Sequence, residues 1–300
     1  MTARHVLEVD DLAAGELRRV LTLATDPVRP PVLAGRSVGL YFEKPSLRTR
    51  HSSEVAVVQL GGHPLTFRPE EVGTDEREPL ADIAAVLSGY HAVLAGRVYA
   101  HATLEQLAAA ATVPVINLLS ESGHPCQALA DLLTMQERWT TLEGRTVCWI
   151  GDYNNVARSL SLGAARTGMG LRIASPPGYG PRDVDIERLL AAGLTEAPFV
   201  TTRPTEAAKG ADAVHTDVWA SMGHEAEAAQ RRRAFEGFTV DDAVMAAAGP
   251  GALFMHCLPA HRGEEVAASV VDGPQSVVID QAHNRLHAFR GLLRFLLEEA

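Results

Sequence analysis

Lysine is almost missing from this chain. Of 300 residues only Lys44 and Lys209 are lysine, so nearly all the positive charge is arginine, which we read mainly as a genomic composition bias. Positive charge is in deficit overall: the net charge is −10 and the pI is near 5.6. That balance excludes the broad basic face a nucleic-acid footprint requires. Cysteine is scarce and odd in number. Cys126, Cys148 and Cys257 have no paired metal-ligand spacing and make no disulfide framework. No apolar run approaches the roughly 20 residues that span a bilayer. Met1-Thr2-Ala3-Arg4 leads into an acidic segment without a signal-peptide core. These absences give the expectation of a cytoplasmic protein with no membrane and no nucleic-acid partner.

What is present is an ordinary globular composition, 46% hydrophobic, over a length that suits two domains of about 150 residues. An amphipathic helix opens the chain at about residues 11–24, with Asp10 or Asp11 as its expected cap. Short apolar segments then alternate with helical patterns. Strands are predicted at 38–42, 64–67, 92–95 and 113–118, with helices at 47–60, 79–88 and 104–111, and a long helix at 125–139. After Thr140-Thr141-Leu142-Glu143-Gly144 the pattern restarts. Strands are then predicted at 146–150, 171–174, 213–216, 252–256 and 276–279, helices at 155–167 and 184–192, and an apolar-striped tail helix at 284–297. Segment 223–239 is polar and reads as a surface excursion or mobile loop. Such alternation with short connections marks parallel sheets covered on both faces. The expected fold class is therefore α/β, with two domains, each a parallel sheet flanked by helices. They would cover residues 1–139 and 140–283, with the C-terminal helix, 284–300, packing back on the first.

The chemistry-bearing residues collect at predicted strand ends. Phe42-Glu43-Lys44-Pro45-Ser46-Leu47-Arg48-Thr49-Arg50 follows a buried strand and opens a helix. Free backbone N–H groups and the positive end of the helix dipole meet there, which favours an anion. Arginine adds planar, bidentate donors suited to phosphate. Trp149-Ile150-Gly151-Asp152-Tyr153-Asn154-Asn155 is another strand-turn-helix junction, where open parallel sheets place ligands. It lacks the spaced glycines of a dinucleotide site. Read alone, it is equally an ordinary helix start capped by Asp152 and Asn154.

His124-Pro125-Cys126-Gln127 offers an imidazole and an amide that can face a neutral carbonyl compound, or simply caps a helix. His256-Cys257-Leu258-Pro259 places a thiol and backbone carbonyls after a strand, and Leu258–Pro259 is a candidate cis bond. Cys257 taken singly is a small buried hydrophobe. Asp217 and Ser221, four residues apart, could hold an ammonium at two points, or mark a turn. Arg97 and Arg285, each alone, read as surface ion pairs.

Taken jointly, the stretches 42–50, 124–127, 151–159, 217–223, 256–265 and 280–287, together with Arg97, resemble the ornithine carbamoyltransferase family. The resemblance runs from the first helix to the last. It implies a first domain for carbamoyl phosphate and a second for L-ornithine, closing over both. By position, Ser46, the backbone N–H of Leu47, Arg48 and Thr49 would hold phosphate. Arg97 would bridge phosphate and the carbamoyl oxygen, which His124 would polarise. Gln127, the Leu258 carbonyl and Arg285 would position the rest of the group, with Pro125, Cys126 and Cys257 alongside. Asn155, Asp217, Ser221 and Met222 would bind ornithine, with Asp217 and Cys257 beside its side-chain amine. Arg48, Arg97, His124, Asp217 and Cys257 form the implied catalytic set.

The resemblance implies no metal, no cofactor and a homotrimer or a multiple of trimers, whose subunits share sites. A sister enzyme acting on acetylornithine, putrescine or lysine, and a silent regulatory homologue, are the alternatives. Two departures stand out. Leu47 occupies a place where the family usually has Thr. In the loop 68–79, where relatives place a Gln that reaches a neighbouring subunit's phosphate, this chain offers Glu71 or Arg77.

Overall fold

The computed structural model describes residues 3–72, 78–220 and 227–298. The chain divides into two compact units, Met1–Leu133 with His283–Ala300, and Thr134–Ala282. The sequence reading places the division at 139/140 and 283/284. In the structure both boundaries fall inside helices, because a continuous helix gives no break in the chain where one unit ends.

The first unit runs α1 (Ala14–Thr25), β1 (Ser37–Phe42), α2 (Arg48–Gln59), β2 (His63–Phe67), α3 (Pro69–Val72), α4 (Leu80–Tyr90), β3 (Val93–Arg97), α5 (His101–Ala110), β4 (Val115–Leu119) and the start of α6 (Pro125–Trp139). Its four strands pair in parallel in the order β2-β1-β3-β4. The inner strands β1 and β3 are buried almost throughout, as expected for strands covered on both faces. Tyr41, Leu80, Ile83, Leu94 and Leu104 pack as one apolar layer. Burying each large aliphatic side chain contributes about 1.5–3 kcal/mol.

The second unit completes α6 and continues with β5 (Thr146–Ile150), α7 (Asn155–Thr167), β6 (Gly170–Ala174), α8 (Asp183–Ala192), β7 (Phe199–Thr201), α9 (Pro204–Ala208), β8 (Ala213–Thr216), α10 (Ala228–Ala234), α11 (Asp242–Ala248), β9 (Leu253–His256), α12 (Ala268–Val271) and the start of α13 (Val278–Glu298). Its parallel sheet has the order β7-β6-β5-β8-β9. The order reverses beside β5, the first strand of this unit, which creates a topological switch point at the carboxyl ends of β5 and β8. Gly151 ends β5 at φ 133°, a conformation that side chains resist. The turn is held by Ser175 Oγ donating to the Gly151 carbonyl at 2.7 Å.

From His283 onward α13 belongs to the first unit. Gly291 lets it approach α1 closely: a Cβ there would come within 2.6 Å of the Val20 carbonyl oxygen. Arg290 donates to the Ala24 carbonyl at 2.9 Å, a cation at the end of α1 where the helix dipole favours it. Arg294 reaches Asp26 at 2.9 Å.

Four sequence expectations are corrected. Residues 276–279 do not form a strand: Ser276 makes one isolated bridge to Phe254, and α13 starts at Val278. The β-branched run Val277-Val278-Ile279 favours a strand locally. Here, however, it leads into a 21-residue helix with a packed apolar face, and tertiary burial decides. Of the stretch read as a surface excursion or mobile loop, residues 223–226 lie outside the described residues. The rest lies largely at the surface but is ordered as α10 and anchored by Arg231, which is buried and paired with Asp152 at 2.7 Å. Asp152 is thus tied to Arg231, and the cap of α7 is Asn154 alone. The cap of α1 is also different. Asp11 accepts from the Leu7 and Glu8 amides at 2.7 and 2.9 Å, while Glu16 reaches the Ala13 amide at 2.8 Å. The edge strand β7, only three residues long, was not expected. None of the described helices is long and apolar enough to cross a membrane.

Candidate active site

In the first unit β1 ends at Phe42 and the chain turns through Glu43–Leu47 into α2. The turn is pinned to β3: the Glu43 amide donates to the Arg97 carbonyl at 2.9 Å, and Glu43 Oε2 accepts from the Tyr99 amide at 2.7 Å. Lys44, nearly buried, lies 4.2 Å over the Tyr99 ring. Ser46 Oγ accepts from the Thr49 amide at 3.3 Å. Leu47 is 69% exposed, so its side chain contributes little to the core. Arg48 is the first residue of α2 and half-buried.

Thr49 is the meeting point. Its buried Oγ1 accepts from Arg97 Nη1 at 3.3 Å and from Arg285 Nη2 at 3.1 Å. Arg97 stands at the carboxyl end of β3 and Arg285 on α13, far apart in sequence, and each is nine-tenths buried or more. Arg285 Nη1 also donates to Gln127 Oε1 at 2.6 Å, and Gln127 Nε2 donates to Asp131 Oδ1 at 2.8 Å. Two buried guanidiniums on one hydroxyl repel each other. The arrangement therefore favours an anion that can take donors from both.

His124, at the start of α6, accepts the Gln127 and Ala128 amides on its carbonyl. Burial, then the charges of Arg285 and Arg97, hold its pKa well below the usual histidine value, so the ring is neutral at pH 7. A neutral imidazole donates a hydrogen bond without giving up the proton. Pro125 fills the first position of α6, where its missing N–H costs nothing. The Cys126 thiol donates to the Asn117 carbonyl at 3.4 Å, which commits it to the fold.

In the second unit Asp217 follows β8 and is nearly buried. Its Oδ1 accepts from Cys257 Sγ at 3.0 Å and its Oδ2 from Asn154 Nδ2 at 2.9 Å. Asn154 does double duty, since its Oδ1 also accepts the Val156 and Ala157 amides that open α7. Asn155, the first residue of α7, is half-buried. Cys257 and Leu258 follow β9. Leu258–Pro259 is cis and Leu258 has φ 58°, a left-handed conformation costing about 1–3 kcal/mol for a non-glycine residue. The Leu258 amide donates to His256 Nδ1 at 2.8 Å. His256 Nε2 therefore carries the proton and faces Glu265 Oε1 at 3.1 Å.

Ser221, Met222 and Arg77 lie outside the described residues. Glu71 turns to its own backbone, accepting the Arg68 amide at 2.8 Å.

Two positioning residues were not singled out from sequence. Asp131 orients Gln127 from one helical turn away, an i,i+4 pair that the spacing itself signals. Asn154 was read only as a cap. Its contact with Asp217, 63 residues on, follows from the pairing of β5 with β8 and had no local signal.

The chain matches the aspartate/ornithine carbamoyltransferase carbamoyl-P binding domain over residues 4–137 and the Asp/Orn binding domain of the same family over 143–296. It belongs to the aspartate/ornithine carbamoyltransferase family. Among relatives in that family, an ornithine carbamoyltransferase from a Parafrankia species is 48% identical, covering 100% of this chain and 98% of the relative. Of solved structures in the family, ornithine carbamoyltransferase from Pyrococcus furiosus superposes with TM-score 0.93 at 42% identity, over 100% and 98% of the two chains. The anabolic ornithine carbamoyltransferase from Campylobacter jejuni superposes with TM-score 0.92 at 33% identity, over 99% and 100%.

The three thiols of this family member differ in reactivity in a way that can be measured. Burial pushes Cys126 and Cys148 up to about 12, leaving about one thiol in 10⁴ ionised at pH 8. Only Cys257 is partly accessible. Iodoacetamide at pH 8 should therefore modify Cys257 in the native protein and the other two only on unfolding, as peptide mass spectrometry would read. Labelling of Cys126 at a rate similar to Cys257 would contradict this ranking.

Proposed function

We propose that this protein transfers the carbamoyl group of carbamoyl phosphate to the side-chain amine of L-ornithine, giving L-citrulline and phosphate in the direction of arginine biosynthesis. The observation that carries the reading is the convergence of Arg97 and Arg285 on Thr49 at the opening of α2, beside a neutral His124.

In this reading the first unit holds the donor. The phosphate takes the backbone N–H groups and Ser46, Arg48 and Thr49 at the start of α2, with Arg97 reaching both phosphate and carbamoyl oxygen. His124 donates to the carbamoyl oxygen, and Gln127 with Arg285 orients the amide. The second unit holds the acceptor through Asn155, Asp217, Ser221 and Met222. Ornithine's side-chain amine, with a pKa near 10 as for lysine, must lose a proton before it attacks. Asp217 and Cys257 flank it in this reading and point its lone pair. As the amine attacks the carbamoyl carbon, charge grows first on the carbonyl oxygen and then on the departing phosphate. Fixed donors placed for those charges stabilise the transition state more than the ground state. Holding two reactants in attack geometry supplies much of the remaining acceleration.

Glu71 bears on assembly. Its engagement with the Arg68 amide leaves a homotrimer with shared sites as a proposal that rests on Arg77 and on the family pattern.

Purified protein given carbamoyl phosphate with ornithine, acetylornithine, putrescine and lysine in parallel should make a carbamoylated product with ornithine alone. Product only with another amine would overturn the substrate assignment, and no product with any amine would favour a silent homologue. Leu47→Thr adds a hydroxyl at the helix opening and should lower the KM for carbamoyl phosphate several-fold, about 1 kcal/mol for one added hydrogen bond. An unchanged or higher KM would count against this account of the departure.

A further inference from the structure

The loop after β9 carries a second cluster that the carbamoyl-transfer reading does not use. His261, Glu264 and Glu265 each offer one ligand atom, all within 4.8 Å of one another. Glu265 is wholly buried. Its Oε1 is saturated, accepting from His256 Nε2 at 3.1 Å and from the His261 amide at 2.5 Å. Among the described residues its Oε2 is buried with no hydrogen-bond partner and faces His261 Nδ1 across 3.8 Å, beyond hydrogen-bond range. A desolvated carboxylate oxygen left in this state is costly. The other two members reach the surface: His261 is 53% exposed and Glu264 34%. One Glu264 oxygen already meets Arg232 at 3.2 Å, which leaves the second oxygen for another cation.

We propose that His261, Glu264 and Glu265 bind a first-row divalent cation of the zinc type, with Glu265 Oε2 as its buried ligand. The donor set points to that class. An imidazole with two carboxylates suits zinc and its neighbours, whereas calcium and magnesium prefer oxygen alone. Two carboxylates balance the charge of the ion, and three protein ligands leave a fourth position to water. Bonds of about 2.0–2.2 Å put tetrahedral ligand atoms roughly 3.4 Å apart, so a spacing of up to 4.8 Å needs to close by at most about 1.4 Å. His261 and Glu264, both at the surface, can supply that movement. The site is coupled to the rest of the loop through Glu265 Oε1, His256 and the Leu258 amide.

The cobalt ion is the probe, because its spectrum separates this cluster from Asp217, His256 and Cys257, the other cluster of potential ligands among the described residues. Chelator-treated full-length protein titrated with Co²⁺ should bind one equivalent with visible d–d bands and no near-ultraviolet thiolate charge-transfer band. Cys257→Ser should leave that titration unchanged. His261→Ala and Glu264→Gln should each weaken binding at least tenfold, and should abolish the rise in Tm that Co²⁺ gives the unsubstituted protein. Both are surface truncations, and their metal-free Tm and citrulline formation in chelator should match the parent. Absence of binding, a thiolate band lost in Cys257→Ser, or parental affinity in both loop variants would each overturn the proposal.

Discussion

Arg97→Met is expected to lower kcat for citrulline formation about 10²–10³-fold, the cost of removing one fixed donor aimed at developing charge. The methionine keeps the length and apolar character of the stem, so the packing around β3 survives. What is lost is the guanidinium that shares Thr49 Oγ1 with Arg285. KM for carbamoyl phosphate should rise less than kcat falls, because Arg285, Arg48 and the α2 amides still hold the ground state. A second readout follows from His124. Arg97 is one of the two charges that depress its pKa, after burial. Without that charge the imidazolium is less disfavoured, so His124 protonates at a higher pH than in the parent, though still below the ordinary value because burial remains. The acid limb of the kcat profile should therefore move upward in Arg97→Met. A variant with parental kcat, or a lost rate with an unmoved acid limb, would show that Arg97 acts only in folding.

Asp217→Asn should act on the other substrate. The change is isosteric but removes the negative charge and one acceptor, leaving the amide to satisfy either Asn154 Nδ2 or the Cys257 thiol. Removing a hydrogen bond made to a charged group costs about 1.5–3 kcal/mol, or roughly 10–150-fold in kcat/KM for ornithine. KM for carbamoyl phosphate should stay near the parental value. If ornithine kinetics were unaffected while Tm fell, Asp217 would be a structural anchor for Asn154 and Cys257 and nothing more.

Much of the fold was legible in the amino-acid order because its signals are local. Strands β5 and β8 and helices α6 and α7 begin and end where the apolar period changes and where Pro125, Asn154 and Gly168 punctuate the chain. The left-handed Gly168 closes α7, as that residue commonly does. Legibility failed where tertiary burial competed with local preference. Val277-Val278-Ile279 carries strand propensity but enters α13. Arg231 sits in a polar stretch yet is buried against Asp152 and the Trp219 carbonyl. Three-residue β7 pairs at a sheet edge with too few residues to show an alternation.

The site divides in the same way. The order of residues alone determined which side chains stand at strand ends and helix starts: Ser46 to Thr49, Arg97, His124, Gln127, Asp217 and Cys257. It also determined the family, since those motifs are read along the chain. Only the tertiary structure decided that Arg97 and Arg285, 188 positions apart by their numbers (285 − 97), meet on one hydroxyl. It also decided that Asn154 steadies Asp217 and that Glu265 keeps one buried oxygen without a hydrogen bond among the described residues. The physical reason is range. Caps, turns and periodicity act within a few residues and leave their mark on neighbouring letters. Charges and hydrogen bonds in a buried site depend on which distant strands pair side by side, and sheet order is set by burial of the whole core.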